Sequence, residues 1–548
     1  VRSLYSNFAH FYRHTKRVLS ELSSTVCVAP LDIGATLAAT SSHCFLHPFS
    51  IAQRLIISGG LEGELLETGI ISAASYLPRF RLLRSAIADA TKWTNPALAA
   101  QDNGHRTVCS HDEDSLTMGV QAARNCLSGS KNFSPQLLQF ASTTAPFVDR
   151  SSSVILSEAL TLPSPEIRCM DITGFLACGT AALINALHSE QASLTVASDK
   201  RIAKVASAQE MSFGHAAAAI ATGNENLIAR HVASGSFAVD FPDHYRKPDA
   251  RTDYFMEERW IRDEGVMKIV PPLIKSLLEK ASCPIEDIEH IALAGMSRSA
   301  ARQLARTLSI QDNKLVDPLD SNCGETGSAH GLLMLCLALE NAQPGEKILL
   351  VHFAQGCQIL LVETTDAIVG WAPNNALQMQ LVSGVIDDNY LRFLSFNDHV
   401  QVDWGVRAER DTRTAVSAFY RHRSALTGFV GGVCTACGTK QFPKGQGCVN
   451  PDCRQLGTLV DEPFQHKTGR IKSFTEDWLA ISENPAFKYG NVIFDDGGVV
   501  MMEFTDFEVG QLEVGMPIRS VFRIKEKDPK RNFHRYNWKA APLPKVRT

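Results

Sequence analysis

Four cysteines carry the sharpest chemical signal in this 548-residue sequence. They stand as Cys434-Thr-Ala-Cys437 and Cys448-Val-Asn-Pro-Asp-Cys453, a C-x2-C pair, ten residues, and a C-x4-C pair. Each pair fits a tight turn that aims two thiolates at one point, the geometry a tetrahedral Zn2+ ion requires. Gly438, Gly445, Gly447 and Pro451 supply the turns. Four thiolates leave no open position, so the spacing predicts a structural zinc rather than a catalytic one. The other ten of the fourteen cysteines are scattered, as buried thiols are in a reducing compartment.

A second chemical cluster lies near the C-terminus. Arg523, Lys525, Lys527, Lys530, Arg531 and Arg535 stand beside Phe533, Tyr536 and Trp538. Basic and aromatic residues on a small barrel are one way to hold a nucleic-acid strand. From Cys434 onward, however, 17 basic residues face 14 acidic ones, too small an excess to drive binding to a phosphate backbone. Nucleic-acid binding is therefore the weakest of the function classes considered. A solvated face explains the cluster at least as well.

Composition sets the frame for both sites. Hydrophobic residues make up 45% and charged residues 20%, and Lys plus Arg (54) against Asp plus Glu (58) leaves a formal charge of −4. That balance is ordinary for a globular protein with a large core. No uncharged apolar run reaches the roughly 18 residues a membrane helix needs, so no membrane partner is expected and the location expected is cytoplasmic.

The elements that must position these groups alternate. Strand patterns at 69–78, 137–142, 167–173, 194–198, 216–221, 288–294 and 347–353 are interleaved with helical ones at 112–127, 152–160, 179–189, 266–281, 298–308 and 327–340. This predicts an α/β fold with a mostly parallel sheet, long enough to be a duplicated unit. The expected divisions are a leader of doubtful structure at 1–66, two α/β halves at 67–225 and 226–365, and a connector at 366–425. A zinc ribbon at 426–457 and a β-barrel at 458–548 complete them. The connector carries a helical-looking stretch from Arg407 to Ser424. The barrel reads as short strands at 468–474, 489–494, 499–504 and 518–524, broken by Asp495-Asp-Gly-Gly498.

Several segments together resemble the thiolase superfamily, closest to 3-hydroxy-3-methylglutaryl-CoA synthase and ketoacyl-acyl-carrier-protein synthase III. They are Phe140-Ala-Ser-Thr-Thr-Ala-Pro146, Asp171-Ile-Thr-Gly-Phe-Leu-Ala-Cys-Gly-Thr-Ala181, Gly324-Glu-Thr-Gly-Ser-Ala329 and Phe353-Ala-Gln-Gly356. Residues 426 to about 542, ending Tyr536-Asn-Trp-Lys-Ala-Ala-Pro542, are similar to the OB-fold and zinc-ribbon domain that accompanies acyl-CoA thiolases. The resemblance implies a duplicated, layered αβαβα fold followed by the ribbon and an OB-type barrel. It also implies a coenzyme A thioester as substrate and a homodimer. The C-terminal basic cluster would then suit coenzyme A docking.

The resemblance also implies catalytic positions, and this sequence has changed the side chains at all of them. The nucleophilic cysteine falls at Leu176, with Cys178 two residues on and roughly 200° around the helix. The histidine falls near Ala294, the asparagine at Glu325 and the general-acid glutamate at Thr143. Backbone N–H groups at the nucleophile position and in Ala354-Gln-Gly356 are unaffected by side-chain changes and could still hold an oxyanion. Glu325, Cys178 and His330 are the catalytic candidates, Glu325 as an acid/base partner assisted by His330. His215 reads as a structural histidine, and the run Glu257–Glu264 as a solvated surface or subunit contact. The activity expected is making or breaking a carbon–carbon bond on a CoA thioester, of aldol type or as a divergent acyl transfer. The alternative is a non-catalytic scaffold that docks a separate thiolase subunit and channels acyl-CoA.

Overall fold

The structure is a computed structural model and describes residues 67–543 apart from 131–132, 163–164 and 409–413. The leader assigned to 1–66 lies outside the described residues. The first half runs β1 (Gly69–Tyr76), α1 (Ser115–Ser128), β2 (Leu137–Ala141), α2 (Ser152–Ala159), β3 (Arg168–Ile172), α3 (Cys178–Leu187), β4 (Ser193–Lys200) and β5 (His215–Gly223). The second repeats the order as β6 (Ala229–Ala238), α4 (Met267–Lys280), β7 (His290–Ala294), α5 (Arg298–Thr307), α6 (His330–Asn341), β8 (Lys347–Phe353) and β9 (Gly356–Thr364). The counterpart of β3 is reduced to one parallel bridge between Ile291 and Leu315.

These strands join in the order β7-β8-β9-β6-β1-β5-β4-β2-β3. Only β7 with β8, β2 with β4 and β2 with β3 are parallel. The expectation of a mostly parallel sheet is therefore corrected to a mixed one. Each half closes on a strand that returns antiparallel beside its predecessor, β5 beside β4 and β9 beside β8, and β1 and β6 continue that pattern. Helices α3 and α6 pack between the two halves, α1 covers β1, β4 and β5 from outside, and α4 covers β6 and β9. The result is the layered αβαβα arrangement.

β5 shows how packing overrides propensity. Its sequence, His-Ala-Ala-Ala-Ala-Ile-Ala-Thr-Gly, is rich in a poor strand former, yet every residue is buried. Alanines let α1 and α6 approach the strand from its two faces.

The connector is folded rather than extended. Val385–Asp387 pairs with Phe80–Leu83, and the stretch expected to be one helix from Arg407 contains the short helices Val416–Arg421 and Arg423–Leu426. β10 (Val430–Cys434) and β11 (Leu459–Pro463) then pair antiparallel and carry the cysteine cluster. The last strands, β12 (Thr468–Asp477), β13 (Phe487–Phe494), β14 (Val499–Glu503), β15 (Pro517–Asp528) and β16 (Phe533–Pro542), form a sheet in the order β14-β13-β12-β15-β16. A parallel bridge between Phe504 and Ala540 brings the two ends together into a small, nearly closed barrel. Phe464, Phe494, Phe522 and Trp538 fill its core.

The barrel is held against the loop before α1 by buried charge. Asp112 accepts from Lys539 Nζ and Thr505 Oγ1, each at 3.0 Å, and its backbone carbonyl accepts from Ile524 N at 2.9 Å. Glu113 pairs with Arg523 at 3.0 Å and accepts from the Tyr76 hydroxyl at 2.5 Å. Asp114 caps α1 through Thr117 N and accepts from the Tyr536 hydroxyl at 2.7 Å. Burial alone would raise the Asp112 carboxyl, but Lys539, then His111 and Arg523, hold it well below the usual carboxylate range.

Candidate active site

The site begins where β2 and β4 end and the first turns of α3 and α6 meet them. Asp199, fully buried near the end of β4, accepts from Ser142 Oγ, from the N–H and hydroxyl of both Thr143 and Thr144, and from Ser328 N, all at 2.7–3.0 Å. Such a donor set satisfies the hydrogen-bonding capacity of a buried side chain. It also commits Thr143, the residue at the expected general-acid position. The Thr143 carbonyl accepts in turn from Arg246.

Two residues beyond Asp199, Arg201 lies 3.6 Å from the centre of the Phe213 ring and pairs with Asp253 at 2.8 Å and with Glu325. Arg246 grips the other oxygen of Asp253 at 2.8 Å. Glu325 is placed by its backbone: Gly324 takes φ +95°, where a side chain would strike Ser212 O and Gly214 N, and Glu325 exchanges hydrogen bonds with Ser212 and Gly214. One Glu325 oxygen faces Arg201 and the other accepts from Gly327 N at 2.8 Å. Its side chain keeps 26% of its surface exposed while that of Arg201 keeps 2%.

The other two sequence candidates lie deeper. Cys178 is the first residue of α3 and fully buried; burial, then Asp199, pushes its thiol well above the ordinary range, and its N–H is spent on Phe175 O. An inert thiol has this setting. His330 opens α6 with Nδ1 3.3 Å from Thr326 Oγ1, and burial lowers its pKa to about 4. The structure brings Glu325 and Arg201 together but gives His330 and Cys178 partners of their own. His215 is structural, with Nδ1 accepting from Cys109 N and Nε2 donating to Arg201 O.

At the expected nucleophile position Leu176 packs with Ala177 and Ala354 in a small buried apolar cluster. The Ala354 N–H is turned to Gly356 O at 3.1 Å, and Gln355, at φ +49°, donates to His244 O. The N–H groups of Cys178 and Ala354 thus both point at protein carbonyls.

Sequence reasoning missed Asp199, Arg201 and Asp253, and it missed a histidine. His352 on β8 is the register partner of Ala294, where a catalytic histidine was expected. Its Nδ1 lies 2.8 Å from Thr180 Oγ1, its Nε2 is buried without a protein partner, and burial, then His330, lowers its pKa to about 3. Gly331 leaves room for the ring, since a Cβ there would come within 2.6 Å of Nδ1. The signal was a single polar residue inside the apolar run Ile348-Leu-Leu-Val-His-Phe353.

Cys434, Cys437, Cys448 and Cys453 converge as expected, with all four sulfur atoms within 4.8 Å of one another, so they could hold a metal ion. The soft, all-sulfur donor set fits zinc. The C-terminal basic cluster, by contrast, is largely neutralised from within. Arg523 is buried against Glu113 and Asp506, Lys525 pairs with Glu503, Lys527 with Glu483, Arg531 with Asp528 and Arg535 with Glu526. Tyr536 and Trp538 are buried. Among the described residues no helix is long and apolar enough to cross a membrane.

Residues 278–362 match the family described as 3-oxoacyl-[acyl-carrier-protein (ACP)] synthase III C terminal. The chain is 26% identical over 318 residues to a hydroxymethylglutaryl-CoA synthase of Caldivirga maquilingensis, covering 56% of this chain and 90% of that one. It is 28% identical over 318 residues to a hydroxymethylglutaryl-CoA synthase of Archaeoglobus fulgidus, covering 55% and 90%. Among solved structures it is similar to MvaS in complex with 3-hydroxy-3-methylglutaryl coenzyme A, with a TM-score of 0.52 and 18% identity over 60% of this chain and 91% of that one.

Proposed function

On the premise that this chain has the thiolase-superfamily fold and is hydroxymethylglutaryl-CoA synthase-like, we propose that it binds a coenzyme A thioester and makes or breaks a carbon–carbon bond on it without an acyl-enzyme. The observation that carries this is the exchange of nucleophile for plug: Leu176 is sealed against Ala354, Cys178 is buried with a raised pKa, and Glu325 keeps a reachable carboxylate.

In the cleavage direction Glu325 takes the proton of a β-hydroxyl as the bond between Cα and Cβ breaks. The β-carbon leaves as a carbonyl, and the electron pair passes to the thioester as an enolate, which takes back a proton at Cα. Arg201 positions the carboxylate throughout. Zn2+ bound by Cys434, Cys437, Cys448 and Cys453 would hold the ribbon together, and the barrel, read as OB-type, would present the nucleotide end of coenzyme A. β3 is an edge strand with Arg168, Met170 and Asp171 exposed, which suits pairing with a second copy in a homodimer.

The test is incubation with a β-hydroxyacyl-CoA and with acetyl-CoA, followed by product analysis and intact mass. Expected are cleavage without a mass adduct, and a loss of about 10²–10⁴-fold in kcat in Glu325→Gln. An acetyl adduct that vanishes in Cys178→Ala would restore acyl transfer and sink this reading. The second reading, a scaffold that docks a catalytic thiolase, draws on the ion pair that ties Glu325 to Arg201. It gains if neither product nor adduct forms while a thiolase co-purifies.

A further inference from the structure

Away from this site, at the opposite end of α3, two imidazoles aim at one hydroxyl. His188 caps the C-terminus of α3, and its Nε2 lies 3.0 Å from Ser234 Oγ. His231, on β6 three residues before Ser234, places its Nε2 3.1 Å from the same oxygen. The two rings are 5.3 Å apart and inclined at 64°. A serine hydroxyl has one proton, so it can donate to only one of these nitrogens.

The surroundings are those of a ligand set. A neutral imidazole with its lone pair on Nε2 is the commonest metal ligand in proteins. The His231 backbone is anchored by its N–H to Thr68 O at 2.9 Å, while His188 is exposed. Two nitrogen ligands at about 2.0–2.1 Å, with the serine oxygen or water completing the shell, suit a first-row dication of the zinc, nickel or copper type.

We propose that His188, His231 and Ser234 form a binding site for a divalent transition-metal ion, separate from the cysteine cluster. An ion there clips the C-terminus of α3, whose first turn lies at the candidate active site, to the first strand of the second half. It would thereby stiffen the seam between the halves.

The experiment is equilibrium dialysis of the full chain against buffered zinc, with metal counted by atomic emission and Tm measured with and without zinc. Expected are two zinc ions per chain, falling to one in the double variant His188→Gln/His231→Gln. Ser234→Ala should keep two, because the imidazoles carry the site, whereas a hydrogen-bonding role alone would leave no second zinc to keep. The double variant should fold as before and lose the part of the zinc-induced Tm rise that Cys453→Ser retains. One zinc per chain in the unaltered protein, or two in the double variant, overturns the proposal. Because the readout is metal content, it stands or falls independently of any turnover at Glu325.

Discussion

Two clusters of buried charge in the thiolase-like part are closed to different degrees. At Asp112–Asp114 the acids meet Arg523, Lys539 and Tyr536 of the barrel, and the side chains of Asp112, Glu113, Arg523 and Lys539 are all at most 8% exposed. At Asp199–Glu325 the cluster is equally dense beneath, but it ends in a carboxylate with a quarter of its surface open. The first arrangement is a joint. A sealed set of opposite charges fixes one geometry and leaves no group to meet a substrate. The second has the same rigidity behind one partly exposed side chain, which is what positioned acid–base chemistry needs. A density of charge therefore says little about function until its exposure is known.

Crossing the two clusters should separate them. Removing one partner of a buried pair strands the other, at a cost of about 3–5 kcal/mol. Arg523→Leu is thus expected to lower the urea midpoint strongly and to open the barrel to protease. Glu325→Gln should lower stability by only about 1 kcal/mol, because its side chain is partly exposed. Comparable losses in the two variants would erase the distinction and favour the scaffold reading.

A smaller effect should follow pH. His330 and His352, with folded pKa values of about 4 and about 3, stay neutral while an unfolded chain takes up protons below its pKa of about 6.5. The unfolded state binds more protons in that window, so stability is full above about pH 6.5 and falls as the pH drops toward 4. The loss is roughly 2 kcal/mol for each ring by about pH 5. Urea unfolding across that range should show the slope, and His352→Gln should remove about half of it. An unchanged slope in that variant would place the titration elsewhere.

Much of this was legible beforehand, for a physical reason. Alternating apolar runs marked β1, β2, β4, β7 and β8 and the helices between them, because each such run is buried on both faces or along one stripe. β6 and the reach of β9 were not. Ala229–Ala238 holds alanine, serine and glycine where strand formers were sought, and becomes a strand by pairing with β9. β9 was obscured because Phe353-Ala-Gln-Gly356 reads as a motif, although it is the tight turn of a hairpin. The cysteine cluster was legible because its spacing is local. Arg201, Asp253 and His352 were not, since 124 residues separate Arg201 from Glu325 and 172 separate Thr180 from His352. No pattern in the chain links such pairs before the sheet brings them together.

The smallest effect bears on Cys178, because it stands next to the open cluster yet belongs with the closed one. Asp199 is among the groups that raise its thiol pKa, as one carboxylate does to a thiolate forming beside it, and the side chain fills space between α3 and the sheet. Replacing it by alanine removes one buried sulfur and is expected to cost about 1 kcal/mol of stability, with no change in kcat. Alkylation supplies a second readout. Iodoacetamide should leave Cys178 unmodified in the folded protein, as mass mapping would show, and react with it only after urea. Rapid labelling in the native state would mean that the thiol titrates near neutrality, and the apolar cluster around Leu176 would then be a gate over a nucleophile rather than its replacement.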